Sequence, residues 1–203
     1  MYIPKYFSMP ESDVLDFIRA NPFGILITAA ADGIKATHIP FHVKETKDSW
    51  VLWAHLAGAN PHASCLLEKE HLAIFSGVHA YISSSWYKNV NVSTWNYEAV
   101  HVTGTIQLLT ELELLDALNE LTNSYEHNQD SPRTLDKIPT KMVSAYLKEI
   151  VGFAFHPQKV EAKTKLSQNR NQQDHVSIVS HLEKQVDPLA KEVAKKMRKN
   201  RPA

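Results

Sequence analysis

The sequence predicts an α+β fold built on a small antiparallel barrel or sandwich. Three observations point there. Short apolar runs separated by turn residues recur through the first half of the chain, and one pair is joined by Asp32-Gly33. Segment 99–108 alternates Val100, Val102, Ile106 and Leu108 with His101, Thr103, Thr105 and Gln107, the signature of a strand with one buried and one wetter face. Helical patterning follows runs of strands and does not alternate with them, which argues against a doubly wound parallel sheet.

In chain order, Ser8 and Glu11 have capping-box spacing with Pro10 in the first turn, and Val14, Leu15, Phe17 and Ile18 supply a helical apolar face. Pro22 pushes Asn21 out of the helical region, so this helix ends there. GILITAAADGIKATHIPFHV then reads as a β-hairpin turning at Asp32-Gly33. On its second strand Ile39, Phe41 and Val43 share one face, and His38, Pro40 and His42 the other. Pro40 donates no ladder hydrogen bond, so the strand is bulged there or lies at an edge. After the polar turn KETKDS, Trp50 to Leu56 reads as a third strand, Asn60-Pro61 opens a short helix through Leu67, and His71 to Ser76 is a fourth strand. Residues 77–96 read as irregular and aromatic. Thr110 and Glu113 form a second capping-box pair, followed by Leu114, Leu115, Leu118 and Leu121 at helical spacing. A helix is expected at about 140–149, a strand from Val151 to Phe155, and another from Val160 to Leu166. The last 30 residues are polar, with Asp187-Pro188 as a cap and Leu189, Val193 and Met197 as a narrow stripe.

Composition bounds the function. The chain has 203 residues, the span of one domain, with 43% apolar and 22% charged residues. Lys plus Arg and Asp plus Glu both number 22, so broad electrostatic capture of nucleic acid or anionic membrane is not expected. Cys65 is the single cysteine, which excludes an intrachain disulfide and a multi-cysteine zinc site. No secretory pattern opens the chain and no apolar run approaches the roughly 18–20 residues of a membrane span, so a cytoplasmic protein is expected. The six glycines form neither GxGxxG nor GxxxxGK[ST].

Two segments carry chemical signals. YISSSWYKNVNVSTWNY, residues 81–97, holds Tyr81, Trp86, Tyr87, Trp95 and Tyr97 interleaved with short hydrogen-bonding side chains. Such a mix grips a flat, partly polar ligand, or else covers a core; composition favours the second. KTKLSQNRNQQD, residues 163–174, offers Lys163, Lys165 and Arg170 among amides, either as a phosphate patch or as a solvated turn. Of the eleven histidines, His38 and His42 share a strand face roughly 13 Å apart, too far for one ion. Hydrogen-bonded or exposed histidines are expected, with no metal. Cys65 lies in ASCLLEK, where burial makes a thiol inert, and no GxSxG elbow occurs, so no catalytic residue is named. The tail from Glu183 carries Lys184, Lys191, Lys195, Lys196, Arg198, Lys199 and Arg201, and reads as a solvated helix before it reads as a DNA contact.

MYIPKYF, ATHIPF at 36–41, HLAGANPH at 55–62, FSGVHAYISSSWY at 75–87, TWNYEAVHVTG at 94–104, IVGF at 150–153 and KLSQNR at 165–170 occur in this order across almost the whole chain. Together they resemble the PaiB-type FMN-binding family, described as negative transcriptional regulators. Val78 and Ser84 stand where similar sequences carry proline. The resemblance implies an FMN-binding split β-barrel with peripheral helices, one domain over 1–203 with a basic helical tail at about 184–203. It also implies a homodimer with flavin near the subunit interface. His38, Ile39, Pro40 and Phe41 would run beside the ring, and Trp53, His55 and Asn60 along the ribityl chain and phosphate. Tyr81, Ser83, Trp95 and Asn96 would close over the ring, and Lys165, Gln168, Asn169 and Arg170 would meet the phosphate or a polar ring edge. A flavin-dependent redox protein acting on a small molecule, a regulator working through DNA or a partner, and a haem-binding or haem-degrading split barrel all follow as functional expectations.

Overall fold

A computed structural model describes residues 1–47 and 49–200. Asp48 of the polar turn and Arg201 of the basic tail lie outside the described residues. The helices are α1 (Glu11–Ala20), α2 (Glu111–Glu126), α3 (Thr140–Leu147), α4 (Gln172–Glu183) and α5 (Pro188–Lys199). The strands are β1 (Phe23–Ala30), β2 (Gly33–Pro40), β3 (His42–Glu45), β4 (Trp50–Ala57), β5 (His71–Ile82), β6 (Thr94–Leu108) and β7 (Ile150–Lys165). They form one seven-stranded sheet in the order β2-β1-β5-β6-β7-β4-β3, and β1 with β2, β1 with β5, β3 with β4 and β4 with β7 pair antiparallel. The two edge strands, β2 and β3, are consecutive in the chain and joined through Phe41 alone. No helix among the described residues is long and apolar enough to cross a membrane.

The expected α+β class holds, and most elements fall where hydrophobic patterning puts them. Ile39, Phe41 and Val43 are buried while His38 is exposed and Pro40 and His42 are half-buried, the alternation that period-2 geometry requires. Pro40 ends an edge strand, which leaves its missing N–H without cost. The hairpin turns one residue earlier than the Asp-Gly reading: Ala30 pairs with Gly33 across Ala31-Asp32, and Gly33 takes a positive φ of 122°. The Thr110–Glu113 capping box closes in both directions and starts α2. Ser8 does not cap α1; it bridges to Lys163 in strand fashion, and the helix starts at Glu11.

Three further expectations need correction. Residues 77–82 are strand, because Val78, Ala80 and Ile82 continue the alternation of β5 and pack on a helical core. The two strands expected at 151–155 and 160–166 are one, β7. The C-terminal segment is not a solvated helix: α5 buries Ala190, Val193, Ala194 and Met197. A narrow stripe of small residues on a basic helix suffices when it faces an apolar partner, here Ile178, Val179 and Leu182 of α4.

The chain divides into two compact units. The first comprises Met1–Phe17, Ser76–His101 and Glu161–Ala203, and the second Ile18–Phe75 and Val102–Val160. The core of the first is α4 and α5 against Ala80, Ile82, Tyr87 and Leu166. In the second, Leu26, Phe41, Leu52, Phe75, Phe153 and Phe155 are fully or almost fully buried, with Phe41 edge-on to Phe75 at 5.2 Å. Gly104 permits a close crossing there: a Cβ at this position would lie 2.1 Å from the His156 carbonyl oxygen. Gly104→Ala is therefore expected to destabilise by about 1–3 kcal/mol or more, read as a lower urea midpoint with an unchanged slope.

Candidate functional site

In the first unit, β7 runs into a strained turn. Ser167 holds a left-handed φ of 63°, unusual for a residue with a Cβ. Its hydroxyl donates to Asn96 Oδ1 and accepts from Asn96 Nδ2, at 3.2 and 2.9 Å, and Asn96 is fully buried. Gln168 locks the same turn, accepting from the Leu166 N–H and donating to the Thr164 carbonyl. Arg170 closes it through its N–H to the Ser167 carbonyl, and lays its guanidinium over the Tyr87 ring at 4.7 Å. Lys165 donates to the Thr94 hydroxyl. Lys163, only 7% exposed, donates to the Tyr2 carbonyl and sits over the Tyr97 ring. Burial, then the charges of Lys163 and Arg170, push the Lys165 ammonium below its usual range. Among the described residues no carboxylate pairs with Lys163, Lys165 or Arg170.

The aromatic segment of this unit leans on α4. The Ser177 hydroxyl donates to the Trp86 carbonyl, the Lys88 N–H donates to Asp174, and the Trp86 indole stacks on His181 with centroids 5.1 Å apart. Ser83 caps the following short turn, accepting from the Ser85 N–H. Tyr81 and Trp95 meet edge to face at 6.0 Å and stay 48% and 53% exposed. Together with Trp86, His79, Gln185 and Asp187 they line a pocket of about 250 Å³.

In the second unit, exposed His38 stacks on Phe23, and Ile39 and Phe41 point into the core. Trp53 pairs across the sheet with His42 and lies beneath the Lys44 ammonium, 4.9 Å from the ring centre. His55 is half-buried, and burial lowers its pKa. Asn60 caps the turn Pro61–Cys65, accepting from the His62 N–H. Phe41 and His42, with Arg19, Pro22, Leu121 and Tyr125, line a cavity of about 490 Å³. At its side Glu120 accepts from both His42 and Lys44.

Of the residues expected to bind, Lys165 and Arg170 therefore come together, with Lys163 added. Asn96 and Gln168 spend their amides inside the turn, and Asn169 is exposed beside it. Tyr81 and Trp95 share a pocket. Pattern reading missed the most connected polar group of the second unit, a buried relay of Thr37, His62, Thr28 and His71. The His71 ring donates from Nε2 to the Glu68 carbonyl, since a carbonyl only accepts. Its Nδ1 then accepts from Thr28 (2.7 Å), Thr28 accepts from His62 Nε2 (2.7 Å), and His62 Nδ1 accepts from Thr37 (2.8 Å). Burial holds both imidazoles below their usual pKa, which favours the neutral ring near pH 7, and for neutral rings that one carbonyl sets the direction of every proton. No sequence spacing marks it, because Thr28 and His71 meet only through β1–β5 pairing. Among the described residues no group of three or more His, Cys, Asp or Glu is placed to hold a metal ion.

A family model described as "Putative FMN-binding domain" matches residues 1–159. The chain is 38% identical over 199 residues to the protease synthase and sporulation protein PAI 2 of Bacillus subtilis (strain 168), covering 97% of this chain and 96% of that protein. Among solved structures, the conserved hypothetical protein Rv2991 of Mycobacterium tuberculosis aligns with a TM-score of 0.60 at 15% identity, covering 85% of this chain and 95% of that one. The FAD and heme binding protein of Mycobacterium smegmatis aligns at 0.58 and 14% identity, over 79% and 74%. These likenesses identify the fold as a split β-barrel with peripheral helices.

The relay makes stability depend on pH. Burial lowers the pKa of both His62 and His71 below 6.5, so the unfolded chain binds protons that the folded chain refuses. Their contribution is complete above about pH 6.5 and is lost as pH falls below it. Urea unfolding at pH 7.5 and 5.5 is expected to show lower stability at the acid value. A His71→Gln variant is expected to be less stable at both and to show a smaller pH difference.

Proposed function

The chain belongs to the PaiB-type FMN-binding family and its cofactor is FMN, and we propose that the cations gathered at the end of β7 hold the flavin's phosphate. One observation carries this reading: three positive side chains converge around a strained turn with no carboxylate on them among the described residues. Like charges held together and partly desolvated are costly unless an anion joins them. A phosphate dianion offers oxygens to the Lys165 ammonium and to the planar fork of Arg170, and the exposed amide of Asn169 adds a neutral donor. Lys163, buried and already bonded to Tyr2, contributes field more than contact. Tyr87 beneath Arg170 fixes the guanidinium plane, and the Asn96–Ser167 pair holds the turn that aims it.

When bound, FMN supplies hydride and one-electron chemistry, while the protein binds, orients and excludes water. The Bacillus relative is named for protease synthesis and sporulation. We read this chain as a regulator of that kind whose signal is flavin-linked. Direct DNA capture by α5 is disfavoured, because Lys195, Lys196 and Arg198 are each paired with a glutamate. A homodimer in the cytoplasm is the assembly and place we propose.

Purified protein is expected to be yellow and to quench FMN fluorescence on titration. Lys165→Ala and Arg170→Ala are each expected to weaken FMN about tenfold or more, as loss of a charge-assisted bond requires. The same variants should lose most of the preference for FMN over riboflavin, which lacks the phosphate. Unchanged FMN affinity in both would refute the phosphate assignment.

A further inference from the structure

The pocket beneath Tyr81 and Trp95 joins aromatic rings, which would suit a flat ring such as flavin, to an Asp187 carboxylate, which an anionic cofactor does not call for. Its walls are two indoles, a phenol and the His79 imidazole, and its floor includes Leu182 and Ala190 of the helical hairpin. Trp95 contacts both His79 and Tyr81 with ring centres 6.0 Å apart, and the Trp86 plane is fixed by stacking on His181. At about 250 Å³ it is smaller than the roughly 300–1,000 Å³ of sites for drug-sized ligands. The anionic group on its wall is Asp187, and the amide is Gln185. Asp187 caps α5 by accepting from the Leu189 N–H through Oδ1, which pins the carboxylate.

Aromatic faces present negative potential, and so does a carboxylate. A small half-open pocket built from both attracts a positive charge spread over carbon and repels an anion such as a flavin phosphate. Four residues of the lining, Leu182, Gln185, Asp187 and Ala190, lie beyond residue 159, where the family match ends. The hairpin thus adds a feature of its own to the aromatic strand residues. We propose that this pocket is a binding site for a small organic cation of the quaternary or alkylated ammonium class, with Trp95, Tyr81 and Trp86 as the cage and Asp187 as the counter-charge.

Calorimetric titration with choline, and with its uncharged carbon isostere 3,3-dimethylbutan-1-ol, tests this on full-length protein with and without FMN. Choline is expected to bind at least about tenfold more tightly than the isostere, the difference that cation–π contacts with several rings and one carboxylate give together. Asp187→Asn keeps the helix cap, since asparagine caps as well as aspartate, and is expected to weaken choline about tenfold. Trp95→Leu is expected to do the same, and Glu192→Gln, on the same helix outside the pocket, to change nothing. Equal affinity for choline and the isostere, no choline binding, or an unaffected Asp187→Asn variant would overturn the proposal. Competition by FMN would overturn it too, by assigning the pocket to the flavin ring. Flavin absorbance of the same samples reports FMN binding separately, so failure of one reading is not failure of the other.

Discussion

One apolar seam decides where every candidate group of the first unit sits. Ile178, Val179 and Leu182 of α4 and Val193, Ala194 and Met197 of α5 close on Ala80, Ile82, Tyr87 and Leu166. These side chains are almost wholly removed from water, and at about 25 cal/mol per Å² of apolar surface such a seam is the largest favourable contribution available to a hairpin so rich in lysine. Its consequences are local and specific. Burying Leu166 ends β7 at a fixed point and forces the chain through the left-handed Ser167. Burying Tyr87 gives Arg170 a ring to lie on. Burying Leu182 and Ala190 sets Gln185 and Asp187, between the helices, against the aromatic strand residues. Met197 also receives a hydrogen bond from Asn96, so the same seam anchors the amide that holds the turn. The Lys196–Glu98 pair at 2.6 Å fastens the outer edge of α5 to β6, with Glu98 only 6% exposed.

How much of this was legible depends on the distance over which each signal acts. The Thr110–Glu113 box, the Asn60 cap and the Asp187-Pro188 start are interactions between residues two or three apart, and each formed where its spacing indicated. Alternation located β2, β4 and β6 because a half-buried strand writes its period into the sequence. Where burial comes from a partner distant in sequence, the pattern fails. Val78-His79-Ala80-Tyr81-Ile82 alternates, but the aromatic side chains on the wetter face made it read as loop. Leu108, expected on the buried face of β6, is 40% exposed, since the strand outruns its cover before α2 begins. The α5 stripe looked too thin to bury because α4 supplies the other half of the contact.

The candidate sites divide the same way. Lys165 and Arg170 could be named from KLSQNR, since residues five apart around a turn stay close. Gln168 and Asn96 belong to the same cluster yet serve the turn and not its surface, a distinction of side-chain direction that composition does not encode. The relay of the second unit shows the limit most clearly. His62 and His71 lie on either side of an unremarkable turn, and Thr28 stands in a strand that reads as plain hydrophobic alternation. Only antiparallel pairing of Thr28 with His71 supplies the hydroxyl that joins two imidazoles and leaves none of their nitrogens unsatisfied.

These two polar arrangements are opposites in electrostatic terms, and that contrast argues for their different roles. The relay is neutral, closed and self-satisfying: each donor has an acceptor, the chain ends on a backbone carbonyl, and nothing further is required to complete it. The cluster at the end of β7 is charged and open. Burial and two like charges act against the Lys165 ammonium, yet no acid among the described residues relieves them. A folded chain keeps such an arrangement at a cost to its own stability, and a strained serine beside it adds to that cost. Where a protein could have placed a glutamate and did not, in a chain whose acidic and basic residues are equal in number, the missing negative charge is most economically supplied by a ligand that binds the folded state alone and stabilises it by mass action.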